Sequence, residues 1–183
     1  TRTVNSVYYA REDGLPKSHD RGIAARSGVT GALAASDEHL LLIQGPLGLN
    51  WRRRKWGLLP RLENGDLTGA NPPTPGRFQL WTEICPHVKD GPPWIFVKLH
   101  THAGIPRNYR SLLGGAGRHF HEGLAARARQ DPALRCHYVT AREMANLVHA
   151  AESGAAGEPR AHFDAGLTPP PRLALRPPGE ARA

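Results

Sequence analysis

The sequence contains few of the residues that disulfide-bonded, thiolate-metal or membrane-spanning proteins need. Its 183 residues include 2 cysteines and 1 methionine. Cys85 and Cys136 lie far apart, without a Cys-x-x-Cys pattern, so neither a disulfide framework nor a zinc site is indicated. No apolar run approaches the roughly 20 residues of a membrane span, and no apolar signal segment follows Thr1. We therefore expect no membrane partner, and a cytoplasmic location is slightly favoured.

Acidic residues are also in deficit, with 16 Asp and Glu against 24 Lys and Arg, for a net charge of +8. Arginine supplies nearly all of the surplus, in a chain rich in alanine, glycine and proline, which is typical of a GC-rich coding sequence. We therefore do not expect nucleic acid as the partner, although a basic protein invites that interpretation. Because the only methionine is Met144, we expect a fragment of a longer protein.

Four short apolar runs bounded by glycine and proline predict strands that are buried on both faces, as in a parallel sheet. They are Val4–Ala10, Leu40–Gln44, Trp94–Leu99 and Arg135–Val139. Helices are predicted near Thr74-Pro75, over about Arg118 to Gln130, and after the capping box Thr140-Ala-Arg-Glu143. This order predicts an α/β fold with a parallel sheet, and four strands are too few to close a barrel. We place the folded part at residues 1–153 and a Pro-rich tail at 154–183.

In parallel α/β folds the ligand site lies beyond the carboxyl ends of the strands. His19 and Asp20 follow the first predicted strand, and Asn50, Trp51 and Arg52 follow the second. His100, His102 and Asn108 follow the third strand. We therefore expect these side chains to converge on one site.

His100 and His102 are the sharpest feature of this set. Residues i and i+2 of an extended segment point to the same side, so both imidazoles could face one cavity. They could bind a metal, act as general acid or base, or form a solvated pair of no catalytic consequence.

The segment from Trp94 to Ala145 resembles the end of a polysaccharide-deacetylase-type barrel of the glycoside hydrolase/deacetylase superfamily. The resemblance lies in Phe96-Val-Lys-Leu-His100 and in Cys136-His-Tyr-Val-Thr-Ala-Arg-Glu-Met144. The stretch from Gln44 to Trp56 is similar to uncharacterised bacterial members. The resemblance implies a partial (β/α) barrel with about four parallel strands and an acetylated bacterial polysaccharide as substrate. It also implies that His100 is the general acid. From their positions after the predicted strands, we expect His102 to orient the leaving group or contact substrate, and His19, Asp20, Asn50, Trp51 and Arg52 to line the substrate site.

The resemblance further implies a divalent, zinc-like metal, held in the family by an Asp-Asp pair and an H-x-x-x-H pair. This chain has no adjacent aspartates and no two histidines four apart, so no complete metal site is expected in it. Either the missing ligands belong to an N-terminal half of the barrel, which is then an expected partner, or this branch has lost the metal; the few strands and the absence of an early methionine favour the first.

Two alternatives stay open. Leu99-His-Thr-His102 could be the metal motif of an amidohydrolase-like enzyme, or Trp51 and Trp56 could serve a non-catalytic carbohydrate-binding module.

Overall fold

The computed structural model describes residues 3–11, 22–35 and 39–171 of the chain. Five strands and four α-helices lie in this part, with two short 3₁₀ helices at Gly31–Ala35 and Pro159–His162. The strands are β1 (Val7–Arg11), β2 (Gly22–Ala24), β3 (His39–Ile43), β4 (Gly48–Lys55) and β5 (Leu59–Glu63). The helices are α1 (Pro75–Ile84), α2 (Pro106–Leu113), α3 (Gly115–Gln130) and α4 (Ala141–Glu152). None of the helices in the described part is long and apolar enough to cross a membrane.

All strand pairs in the two sheets are antiparallel. β1 is the centre of a three-stranded sheet in which Tyr8 faces Ala24 of β2 on one side and Leu42 of β3 on the other. β4 and β5 form a separate two-stranded hairpin. The prediction of a partial (β/α) barrel with about four parallel strands is therefore wrong. Apolar runs report burial, and β1 and β3 are buried by pairing with each other and packing on α4 rather than by helices on both faces.

The other two predicted strands, Trp94–Leu99 and Arg135–Val139, belong to neither sheet. Loop carbonyls take the place of a strand neighbour: the Phe96 amide donates to Pro86 and the His100 amide donates to Gly65. Both segments border an apolar cavity of about 530 Å³, which is also lined by aromatic and aliphatic side chains of α1 and α3. The prediction of burial on both faces is wrong as well: Phe96 is the one buried residue of Trp94–Leu99, and no residue of Arg135–Val139 is buried.

The helices that the sequence predicts are confirmed. Thr140 accepts from the amide of Glu143, and the Glu143 carboxylate accepts from the Thr140 amide, which completes the predicted capping box of α4. Thr74 caps α1 immediately before Pro75. α3 begins at Gly115, slightly before the predicted start, and α2 was not predicted.

The core joins the three-stranded sheet to α4. Its buried members are Val7, Ala25, Val88, Phe96, Leu147, Val148 and Ala151. The described part of the tail packs here as well, because Phe163 contacts this cluster and the buried Asn146 side chain donates to the carbonyls of Phe163 and Leu167.

A buried carboxylate also ties the sheet to α4. Glu152 accepts from the hydroxyls of Tyr9 at 2.7 Å and Thr30 at 2.5 Å, and His149 Nδ1 lies 3.2 Å away. Burial opposes ionisation of Glu152, but the contacts with His149, Thr30 and Tyr9 outweigh it and hold the pKa of this carboxyl below its usual value. Burial and the Glu152 carboxylate raise the pKa of Tyr9.

Candidate acid–base site at His100

The site rests on a buried ion pair between α1 and β5. Arg77 of α1 is fully buried, and its Nε and Nη2 donate to the two carboxylate oxygens of Glu63 at 2.7 and 2.6 Å. Trp81 Nε1 donates to the same carboxylate at 3.1 Å. Burial opposes ionisation of Glu63, but the hydrogen bonds and charge of Arg77, together with Trp81, hold its pKa below the usual range. Both charges are therefore retained in the interior, where each compensates the other.

Arg77 also fixes the loop that connects β5 to α1, residues 64–74. Its remaining N–H groups donate to the backbone carbonyls of Asp66, Asn71 and Pro72 at 2.6–2.9 Å. One guanidinium group thus binds three loop carbonyls, of which that of Pro72 has no other donor among the described residues. The buried Arg77 side chain thus fixes the backbone of the loop, including the position of Asp66.

His100 docks on this loop through its backbone. The His100 amide donates to Gly65 at 3.2 Å, and the Leu67 amide donates to the His100 carbonyl at 2.9 Å, which forms a parallel bridge between Asp66 and His100. Gly65 has φ +69°, and a Cβ there would lie 3.0 Å from Pro46, so this close passage requires glycine.

The bridge brings the His100 and Asp66 side chains together. His100 Nε2 lies 3.9 Å from Asp66 Oδ1, which is within ion-pair range and longer than a hydrogen bond. Nearly half of the imidazole surface is exposed, so the ring remains accessible to a ligand. Asp66 Oδ1 and Thr101 Oγ1 are buried and make no hydrogen bond to any described residue. The unsatisfied, buried Asp66 oxygen beside an exposed imidazole is typical of a site that binds a polar ligand or water.

Asn108, at the start of α2, locks the other side of the site. Its buried side chain accepts from the Gly69 amide at 3.0 Å and donates to the His102 carbonyl at 3.1 Å. The loop and the segment from His100 to His102 are therefore connected at both ends. The sequence placed Asn108 near this site, and the contacts give it a structural role there.

The remaining predicted site residues are less closely connected to His100. The His102 ring is exposed and forms no hydrogen bond or ion pair that involves a described residue. Asn50 is buried, and its Oδ1 accepts from the amides of Arg52 and Arg53 within the bulge of β4. Trp51 and Arg52 are exposed, and Arg52 Nη2 lies 3.6 Å from the Glu83 Oε1 of α1.

His19 and Asp20 lie outside the described residues. They therefore take no part in the geometry described for the site.

Sequence reasoning missed Asp66 and Arg53. Arg53 donates to Asn71 Oδ1 at 2.7 Å, and Asn71 Nδ2 donates to the Asp66 carbonyl at 3.1 Å, so Arg53 connects the hairpin to the loop. Partial burial and the neighbouring charges of Arg61 and Arg77 lower the pKa of Arg53. The turn signal Asn64-Gly-Asp66 marks the loop in the sequence, but nothing local indicates that it meets His100.

Among the described residues there is no group of three or more His, Cys, Asp or Glu side chains that could hold a metal ion. The His100–Asp66 pair on its own offers two ligands, fewer than a zinc site normally takes from the protein.

Comparison with known proteins returns no match of any kind. No family model, no curated protein and no solved structure matches the chain.

Proposed function

We propose that the chain carries the acid–base part of a hydrolase that removes acetyl groups from the sugars of a bacterial polysaccharide. The observation that carries this proposal is the accessible His100 imidazole 3.9 Å from the Asp66 carboxylate. The resemblance of Trp94–Ala145 to polysaccharide deacetylases supports the substrate class, because the histidine that matches His100 is the general acid in active members.

His100 is the proposed catalytic residue and Asp66 the residue that positions it. The Asp66 carboxylate faces Nε2, so it can accept the proton on that nitrogen and leave Nδ1 directed toward substrate. A separation of 3.9 Å is compatible with this role, since catalytic hydrogen bonds are often long before substrate binds. Asn108 holds the histidine segment in place by donating to the His102 carbonyl while it accepts from the Gly69 amide.

The reaction breaks the bond between the acetyl carbon and a sugar nitrogen or oxygen. Water adds to the acetyl carbonyl carbon, the bond to the sugar breaks, and the leaving nitrogen or oxygen takes a proton from His100 Nδ1. The imidazole regains a proton that the attacking water gives up. The divalent ion of the resembling family does not fit the described residues, which form no three-ligand group, so no step is assigned to it.

Acetate release from N-acetylated and O-acetylated oligosaccharides tests the proposal. We expect His100→Ala to lower kcat/KM by about 10²-fold or more, on the usual scale of general acid catalysis. Asp66→Asn should lower kcat less than that and displace the pH–rate profile, as expected of a residue that acts through the imidazole. His119→Ala, which alters an exposed histidine of α3, is the matched control and should match wild type.

Two outcomes would overturn the proposal. The first is a His100→Ala variant as active as wild type. The second is a wild-type protein at its natural full length, with the expected N-terminal partner part present, that releases no acetate from either class of oligosaccharide.

A further inference from the structure

The β4–β5 hairpin ends in an exposed apolar turn. Leu58 donates its amide to the Lys55 carbonyl at 3.2 Å, and the two residues between them, Trp56 and Gly57, have φ of 53° and 75°. Two left-handed central residues are typical of the tight turns that connect hairpin strands. The turn leaves Trp56 77% and Leu58 79% exposed, although both are large apolar side chains.

Apolar exposure continues along one face of the hairpin. Leu49 and Leu62 lie directly opposite each other and are both exposed, while their chain neighbours Asn50 and Glu63 are buried against the rest of the protein. Because successive side chains of a strand point to opposite faces, the two leucines lie on the outer face. Leu59, beside the turn, is exposed as well.

The same hairpin is strongly cationic. Residues 48–63 contain Arg52, Arg53, Arg54, Lys55 and Arg61, with Glu63 as the single acidic residue. The Glu63 carboxylate is buried and paired with Arg77, so it does not neutralise the positive charge on the surface of the hairpin. Lys55 Nζ lies 4.3 Å from the centre of the Trp56 ring, which places a cation directly beside the exposed turn.

We propose that this hairpin, residues 48–63, docks the protein on an anionic lipid surface, with Trp56 and Leu58 in the interfacial region and the basic side chains on lipid phosphates. The positive charge complements anionic headgroups, and tryptophan is favoured at membrane interfaces. Leucine side chains gain from contact with acyl chains but find no apolar partner on a hydrated sugar polymer or a phosphodiester backbone. This peripheral attachment needs no membrane-crossing helix.

Co-sedimentation of the full chain with lipid vesicles tests the proposal. We expect binding to phosphatidylcholine vesicles that contain phosphatidylglycerol, little binding to pure phosphatidylcholine vesicles, and weaker binding as salt is added. Leu58→Asn should weaken binding about tenfold, because one exposed leucine no longer enters the interface. Arg54→Gln and Arg61→Gln should each weaken it roughly fivefold.

Matched controls come from exposed residues outside the hairpin. Leu113 at the end of α2 is 80% exposed, so Leu113→Asn makes the same chemical change as Leu58→Asn at a remote position. Arg129→Gln on α3 is the control for charge. Neither control should change vesicle binding. Tryptophan emission should shift to the blue on binding, and Trp56→Phe should remove most of that shift.

The proposal is overturned if anionic vesicles do not bind the protein at low salt. It is also overturned if Leu113→Asn weakens binding as much as Leu58→Asn does. Binding to a soluble acidic polysaccharide, with no vesicle binding, would assign the hairpin to a sugar polymer instead.

Discussion

The loop that carries Asp66 and the segment Arg135–Val139 are both irregular, but only the loop has a backbone that is hydrogen-bonded to other parts of the protein. In the loop, Arg77 satisfies the carbonyls of Asp66, Asn71 and Pro72, and the neighbouring amides bond to His100 or to side chains. Along Arg135–Val139, no backbone amide or carbonyl bonds to another described residue. The apolar cavity lies beside this second segment, and the His100–Asp66 pair lies beside the first. Precise placement of polar groups therefore coincides with a hydrogen-bonded backbone, whereas Arg135–Val139 makes its polar contacts through side chains alone.

Amide hydrogen exchange should reveal the largest difference between the two regions. We expect the amides of Leu67 and His100, which are hydrogen-bonded, to exchange at least ~10³-fold more slowly than those of Cys136 and Tyr138. The measurement is residue-resolved exchange of the folded chain at neutral pH. Equal protection in both regions would show that Arg135–Val139 has a hydrogen-bonded partner in solution.

Removal of the Arg77 side-chain charge should give the next largest effect. Arg77→Met leaves the buried Glu63 carboxylate without its counter-charge and removes three hydrogen bonds to loop carbonyls, so we expect a loss of about 3–5 kcal/mol in the free energy of unfolding. Denaturant unfolding measures it, and Arg129→Met on the exposed face of α3 is the control. A loss no greater than that of the control would mean that the loop does not depend on Arg77.

Acid should weaken the two buried carboxylate networks, that of Glu63 beside loop 64–74 and that of Glu152 between the three-stranded sheet and α4. The folded-state pKa of Glu63 and of Glu152 lies below the usual carboxyl value of 4.5, so their stabilisation is complete above that pH and is lost as the pH falls below it. We therefore expect the free energy of unfolding to fall with acidification in this window. Glu63→Gln and Glu152→Gln should each make that fall shallower, while Glu122→Gln on α3 should not. If the free energy of unfolding fell equally with pH in wild type and in both variants, the low pKa values of Glu63 and Glu152 in the folded protein would be contradicted.

The sequence predicts those parts of the fold that depend on neighbouring residues. The start of α1 near Thr74-Pro75 and the Thr140–Glu143 box of α4 depend on local interactions, and both are present where predicted. Strand pairing depends on distant residues, and it is here that prediction was wrong for Trp94–Leu99 and Arg135–Val139. A short apolar run indicates neither how deeply a segment will be buried nor which backbone, if any, will pair with it.

The candidate site follows the same division. His100 was found because polar residues after an apolar run are conspicuous in the sequence. Asp66 was not found, because its approach to His100 depends on a bridge between two loops and on a buried arginine in α1. The hairpin was missed for a related reason: its outer face is both apolar and charged, so it lacks the alternation that identifies a strand.

Arg77 holds its loop by carbonyl oxygens, a group that every amino acid possesses. The shape of residues 64–74 depends on Gly65 and on side chains that bond within the loop, such as those of Asn64, Thr68 and Asn71. It does not depend in this way on the side chains of Leu67 and Ala70. Natural variation or laboratory evolution can exchange those side chains while Asp66 keeps its position beside His100. The loop is thus a natural place to alter which ligand the protein accepts without rebuilding the scaffold beneath it.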